Sequence, residues 1–239
     1  MTTWPIKSLH QIELSSQCNL RCVYCPSQTL QRPKIDMDEA TFLRSLEWVK
    51  HYRMAGTQGE LNLAGTGEST LHPRLVEYAA LARKALGTTQ RLLFTTNGLL
   101  ITEELADALM PTGIKVFVSL HRPEKAGPAI NILRDRGMFI GASADPSLSS
   151  VDWAGQVEWE TTTEAFGSQC DWRKQGWVMV LSDGRMTTCC FDADGSGVIG
   201  NVNDEIGSVV GKPYRLCKTC HMDVGFEGWR DRVEGRVKK

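Results

Sequence analysis

Between His10 and Ala142 short apolar runs alternate with amphipathic stretches, and this alternation restricts the possible folds more than any other feature of the sequence. Runs at His10 to Leu14, Glu60 to Ala64, Arg91 to Thr95, Ile114 to Ser119 and Met138 to Ala142 read as strands. A helix is expected from about Asp36, with Glu39 placed for a capping-box contact and Phe42, Leu46 and Val49 on one face. A second opens at Pro73, aligns Leu75, Ala79, Ala82 and Leu86, and stops at Gly87. Thr102 to Leu109 and Pro123 to Arg136 read as two more, the latter ended by Gly137. Strands joined through helices run parallel, because the crossover returns the chain to the same end of the sheet. Loops after the strand C-termini then gather on one side, where barrel enzymes place their chemistry.

The pattern fades in a Pro/Ser-rich stretch from Asp145 to Gly155, and after Val157 to Trp159 the composition shifts. Trp177 to Leu181 and Arg185 to Cys190 flank Ser182, Asp183 and Gly184, a hairpin signal in which Gly184 takes a positive φ. Residues 1–160 are therefore expected to form an α/β unit and residues 161–239 a smaller second one, a division that the length of 239 residues accommodates. With 27 basic against 28 acidic residues, no net field draws in nucleic acid. No apolar run approaches the ~20 residues of a membrane helix, and Met1 to Leu9 lacks a signal-peptide core, so a cytoplasmic protein is expected. The basic stretch from Arg230 to Lys239 reads as a solvated end.

Eight cysteines in a chain with 41% hydrophobic residues are not needed as staples, and their spacings are those of metal sites. Cys18, Cys22 and Cys25 fall in one loop, Ser-Gln-Cys-Asn-Leu-Arg-Cys-Val-Tyr-Cys-Pro, directly after the first strand. Three thiolates hold three irons of a four-iron cube and leave one iron open, whereas a closed zinc site wants a fourth ligand that no nearby histidine supplies. Cys170, Cys189, Cys190, Cys217 and Cys220 follow in the C-terminal part, and four of them suffice for a second cluster or for a four-thiolate zinc ribbon. His221, beside Cys220, is either a further ligand or polar surface.

The cysteine loop, with the aromatic Tyr24 before its last cysteine, resembles that of the radical S-adenosylmethionine (radical SAM) family. The resemblance implies an α/β fold, a partial (β/α)6 TIM-like barrel. It implies a [4Fe–4S] cluster whose open iron chelates S-adenosylmethionine, and one-electron cleavage of that cofactor to a 5′-deoxyadenosyl radical. Gly65, Thr66, Gly67, Glu68 and Ser69 look like the family's Gly-Gly-Glu-Pro turn with Ser69 in the proline position, which implies that Gly65 to Glu68 hold the methionyl amino group. Thr96, Asn97 and Gly98 match a Thr-Asn-Gly seen in many relatives. Tyr24, Thr96, Asn97, Ser119 and His121 are accordingly expected at the cofactor, with His121 also placed to exchange a proton with substrate and Arg122 to hold a carboxylate.

The hairpin followed by Cys189, by Gly-Val-Ile-Gly-Asn-Val and by Cys-Lys-Thr-Cys resembles the auxiliary-cluster region of family members called SPASM or twitch domains. That implies Cys170, Cys189, Cys217 and Cys220 as ligands of an auxiliary [4Fe–4S] cluster, with Cys190 spare. Small dehydrogenases of the family carry an arginine facing the substrate where Trp153 stands here, which implies a ligand met by stacking and an indole donor. The expected function is a radical SAM oxidoreductase acting on a small-molecule or peptide substrate, its auxiliary cluster accepting or relaying an electron, and a flavodoxin or ferredoxin supplying one. The alternatives are an epimerase with Cys190 as hydrogen donor, a peptide maturase, for which the stretch before the first strand is short of a leader-binding domain, and a zinc-stapled binding module.

Overall fold

The computed structural model describes residues 3–143, 153–158, 170–218 and 220. Among these described residues six strands run parallel: β2 (Ser8–Ile12), β3 (Leu61–Asn62), β4 (Leu92–Thr96), β5 (Lys115–Val118), β6 (Phe139–Ala142) and β7 (Trp177–Val180). Between them lie α1 (Glu39–Met54), α2 (Leu75–Leu86), α3 (Glu103–Leu109) and α4 (Pro123–Asp135), and α5 (Asp171–Gln175) leads into β7. The sheet order β6-β5-β4-β3-β2-β7 continues into β8 (Arg185–Thr187) and β9 (Val198–Asn201), both antiparallel. The fold is that of a partial barrel, in which β2 to β6 follow chain order and β7 closes on the other side of β2.

The core follows from the helical and strand periodicities. Phe42, Leu46 and Val49 on α1, and Leu75, Ala79, Ala82 and Leu86 on α2, are buried against Leu9, Ile12, Leu61 and Phe94 of the sheet. Each large side chain removed from water contributes ~1.5–3 kcal/mol. Gly87 (φ +73°) and Gly137 (φ +63°) end their helices in backbone conformations that side chains resist.

Some local expectations are corrected. Asp38, not Asp36, caps α1, its carboxylate accepting from the Thr41 amide at 2.9 Å. Glu39 is then the first helical residue, out of capping-box position, and reaches Arg74 at 2.5 Å instead. Asp36 is drawn away into a bridge with Ser15. In the hairpin, Gly184 has φ +83° as its sequence requires, but β8 ends at Thr187. Cys189 and Cys190 thus fall in the turn beyond. One pairing had no sequence signal: β1 (Trp4–Pro5) forms an antiparallel ladder with β10 (Val210–Gly211).

Candidate active site

Beyond the C-terminal ends of β2 to β5 lies a cavity of about 320 Å³. Cys18, Cys22, Tyr24 and Cys25 line it from the loop after β2, and Gly65 to Glu68 from the turn after β3. Thr96 and Asn97 enter after β4, and Ser119 and His121 after β5. Parallel strands bring these distant segments together because each loop leaves the sheet at the same end.

The turn after β3 is locked to the cysteine loop. The Glu68 amide donates to the Gln17 carbonyl at 2.7 Å. A side-chain carbon at Gly67 would run into the backbone oxygens of Ser15 and Gln17, and one at Gly65 into the Glu13 side chain. These glycines are therefore required by loop-on-loop packing in addition to any ligand approach. Buried Glu68 accepts at Oε1 from the Thr70 amide (3.0 Å), the Thr70 hydroxyl (2.6 Å) and the Thr96 hydroxyl (2.7 Å), and at Oε2 from the Asn97 amide (2.8 Å). Asn97 in turn donates from Nδ2 to Asn19 Oδ1 at 2.7 Å, tying the end of β4 to the cysteine loop.

Burial pushes the Cys18 thiol up to about 11 and raises Cys25 as well. Without a cation these two thiols stay protonated at neutral pH, which disfavours free thiolate chemistry in this loop. The Thr66 hydroxyl, on the same wall, is buried and has no hydrogen-bond partner among the described residues. Among the described residues no three His, Cys, Asp or Glu donors converge on a single-ion site. A four-iron cube binds its thiolates through separate irons, so donors ringing a cavity, with one position left for a further ligand, suit it.

Across the cavity, Tyr24 Oη and His121 Nδ1 are 3.0 Å apart. Burial lowers the His121 pKa, favouring the neutral ring. Trp153 and Phe191 form another wall, edge to face with centroids 5.5 Å apart. The Gln156 amide joins them, donating to the Trp153 and Phe191 carbonyls at 2.6 and 2.5 Å. Trp153 (φ +50°) and Ala154 (φ +60°) both occupy the left-handed region, at a cost of roughly 1–2 kcal/mol each.

Ala154 also lines a second, smaller cavity, together with Cys170, Cys189, Cys217 and Cys220. The four expected auxiliary ligands are thus brought together from α5, the turn after β8 and the segment after β10. Burial pushes Cys189 well above the ordinary thiol range and Cys190 up to about 12. Cys190 lines neither cavity; its electrostatic neighbours include Cys170, Cys189 and Cys220. Arg122 is exposed, 3.7 Å from Glu124, and does not line the cavity. His221, Trp159 and the tail from Arg230 lie outside the described residues, as does Asp145 to Asp152 of the Pro/Ser-rich stretch.

No pattern along the chain places Phe191 at the cavity or pairs Glu13 with Arg32. The available signal for Glu13 was a carboxylate between Ile12 and Leu14 in an apolar run.

The radical SAM superfamily model matches residues 12–167. A tungsten-containing aldehyde ferredoxin oxidoreductase cofactor-modifying protein of Pyrococcus furiosus is 33% identical over 153 residues, 61% of this chain and 39% of that one. An S-adenosyl-L-methionine-dependent 2-deoxy-scyllo-inosamine dehydrogenase of Niallia circulans is 27% identical over 112 residues, 46% of this chain and 43% of the relative. These matches span about two fifths of the curated relatives' lengths. The crystal structure of BtrN in complex with AdoMet and 2-DOIA superposes with a TM-score of 0.69 at 21% identity, covering 98% of this chain and 90% of BtrN, a likeness of fold. The chain belongs to the radical SAM superfamily. Membership implies the family's [4Fe–4S] cluster and S-adenosylmethionine, and the first cavity offers three thiols and a glycine-rich wall for them.

Proposed function

We propose that this chain is a radical SAM oxidoreductase that removes hydrogen from a small-molecule or peptide substrate, with an auxiliary [4Fe–4S] cluster on Cys170, Cys189, Cys217 and Cys220. One observation carries the proposal: the Trp153–Ala154 segment borders both the cavity of the three-cysteine loop and that of the second cysteine set. When bound, the first cluster and S-adenosylmethionine supply a hydrogen-abstracting 5′-deoxyadenosyl radical, and the auxiliary cluster a one-electron acceptor or relay.

The chain's own residues do the rest. Cys18, Cys22 and Cys25 hold the first cluster, and the backbone of Gly65 to Gly67 receives the methionyl end. Glu68 acts from beneath, since its oxygens already hold Thr70, Thr96 and Asn97 in place. His121, engaged with Tyr24 through Nδ1, keeps Nε2 for a ribose or substrate hydroxyl. Trp153 and Phe191 exclude water and seat the substrate against aromatic faces and edges. The resemblance to an inosamine dehydrogenase supports oxidation as the outcome. Trp153 supports a substrate bound through a ring or apolar face. A flavodoxin or ferredoxin is the electron donor expected for such chemistry.

Anaerobic purification tests the proposal. A brown protein with about eight irons per chain, releasing 5′-deoxyadenosine when reduced with S-adenosylmethionine present, is the expected result. A colourless zinc protein that leaves S-adenosylmethionine intact would sink it.

A further inference from the structure

Two buried hydrogen-bond donors flank the second cysteine cavity without an oxygen or nitrogen acceptor among the described residues. The Trp4 indole Nε1 and the Tyr214 hydroxyl are closed off from solvent, and among the described residues neither has a hydrogen-bonding oxygen or nitrogen partner. Both residues line the cavity shared by Cys170, Cys189, Cys217 and Cys220. The Cys189 thiol neighbours the Tyr214 hydroxyl. Buried polar groups are nearly always satisfied, so an unmatched Trp4 donor and a Tyr214 hydroxyl set against the Cys189 sulfur, both on one small cavity, point to sulfur acceptors that arrive with a ligand.

Backbone geometry holds both rings where they are. Trp4 stands opposite Gly211 in the β1–β10 ladder, and a side-chain carbon at Gly211 would collide with the indole at Nε1. The Tyr214 ring lies on Gly197, where a side-chain carbon would come within 2.5 Å of ring carbons. Two glycines in separate segments thus leave room for two donors, and the β1–β10 ladder carries one of them in from the N-terminal strand.

We infer that Trp4 and Tyr214 donate hydrogen bonds to sulfurs of the auxiliary cluster and raise its reduction potential. The inference rests on Cys170, Cys189, Cys217 and Cys220 being cluster ligands. Sulfide and thiolate are the acceptors such a cluster brings, and they gain negative charge when it takes up an electron. Donors aimed at them favour the reduced state and move the potential upward.

The test uses the reconstituted holoenzyme with Trp4→Phe, Tyr214→Phe and both together, which remove N–H or O–H and keep a ring. Redox titration followed by electron paramagnetic resonance should show each variant lowering the auxiliary midpoint, with the three-cysteine cluster unmoved. A roughly tenfold rise in the oxidised-to-reduced ratio at fixed potential corresponds to about 59 mV for one electron. In heavy water, pulsed resonance of the native protein should show exchangeable deuterons coupled to the auxiliary cluster, and this measurement decides the matter should a variant fail to fold. About eight irons per chain with an unmoved midpoint and no deuteron coupling overturns the donor role while leaving the second cluster in place. About four irons in the native protein removes the second cluster and the inference with it.

Discussion

The Arg32 guanidinium lies 2.7 Å from the Glu13 carboxylate, with both side chains buried. Glu13 Oε1 also accepts from the Thr66 amide and Oε2 from the Ser182 amide, each at 3.0 Å. Arg32 reaches on to the Ala193 carbonyl and the Ser182 hydroxyl. One ion pair thus joins the end of β2, the chain beyond the cysteine loop, the Gly65–Glu68 turn and the β7–β8 hairpin. Removing one partner leaves an uncompensated buried charge, so Arg32→Met should cost about 3–5 kcal/mol in denaturant unfolding. Replacing Glu13 by Met as well should recover only part of this, because the Thr66 and Ser182 amides lose their acceptor. A loss below about 1 kcal/mol for Arg32→Met would show that the pair does not brace the fold.

Gly67 and Gly127 make a contrasting pair. At Gly67 the obstacles are backbone oxygens, which cannot swing aside, so Gly67→Ala should destabilise by about 1–3 kcal/mol and lower iron incorporation at the cysteine loop. Gly127 lies within α4 with no distant atom where its side chain would go, but Pro128 follows it and disfavours helical backbone for a residue bearing a Cβ, so Gly127→Ala should change stability by less than about 0.5 kcal/mol. Urea unfolding and iron analysis of the two variants check the difference.

Histidines set an acid limit. Burial lowers the folded pKa of both His10, stacked on Trp177, and His121 below the ordinary 6.5. The unfolded chain then binds more protons than the folded one just below pH 6.5, so stability falls with acidification there. Their contribution is full above 6.5 and is lost as pH drops through the folded values. Unfolding curves measured from about pH 8 to 5 should show this slope, and His10→Asn and His121→Asn should each flatten it. A slope unchanged in both variants would assign it to other groups.

Cys190→Ala separates oxidation from epimerisation. Cys190 lines neither cavity and is half-buried, so the variant should keep both clusters and its turnover, and lose no more than about 1 kcal/mol of stability. A variant that still cleaves S-adenosylmethionine but no longer inverts a substrate centre would make Cys190 the hydrogen donor.

Local sequence was enough for the strand–helix order, the helix stops at Gly87 and Gly137 and the positive φ of Gly184. Resemblance to the family's short motifs also marked most of the first cavity's wall, since those motifs are cysteines, glycines and polar strand ends that stand a few positions apart in one loop or turn. These are local properties, fixed by periodicity, by φ, or by residues a few positions apart. Tertiary structure alone decided what depends on distant segments meeting. It set β7 beside β2 and Trp4 against Gly211. It paired Glu13 with Arg32 and turned Phe191 toward Trp153. No local pattern encodes such contacts, since even a residue that stands out in the sequence, such as Glu13 or Trp153, does not name its partner until the fold brings the two together.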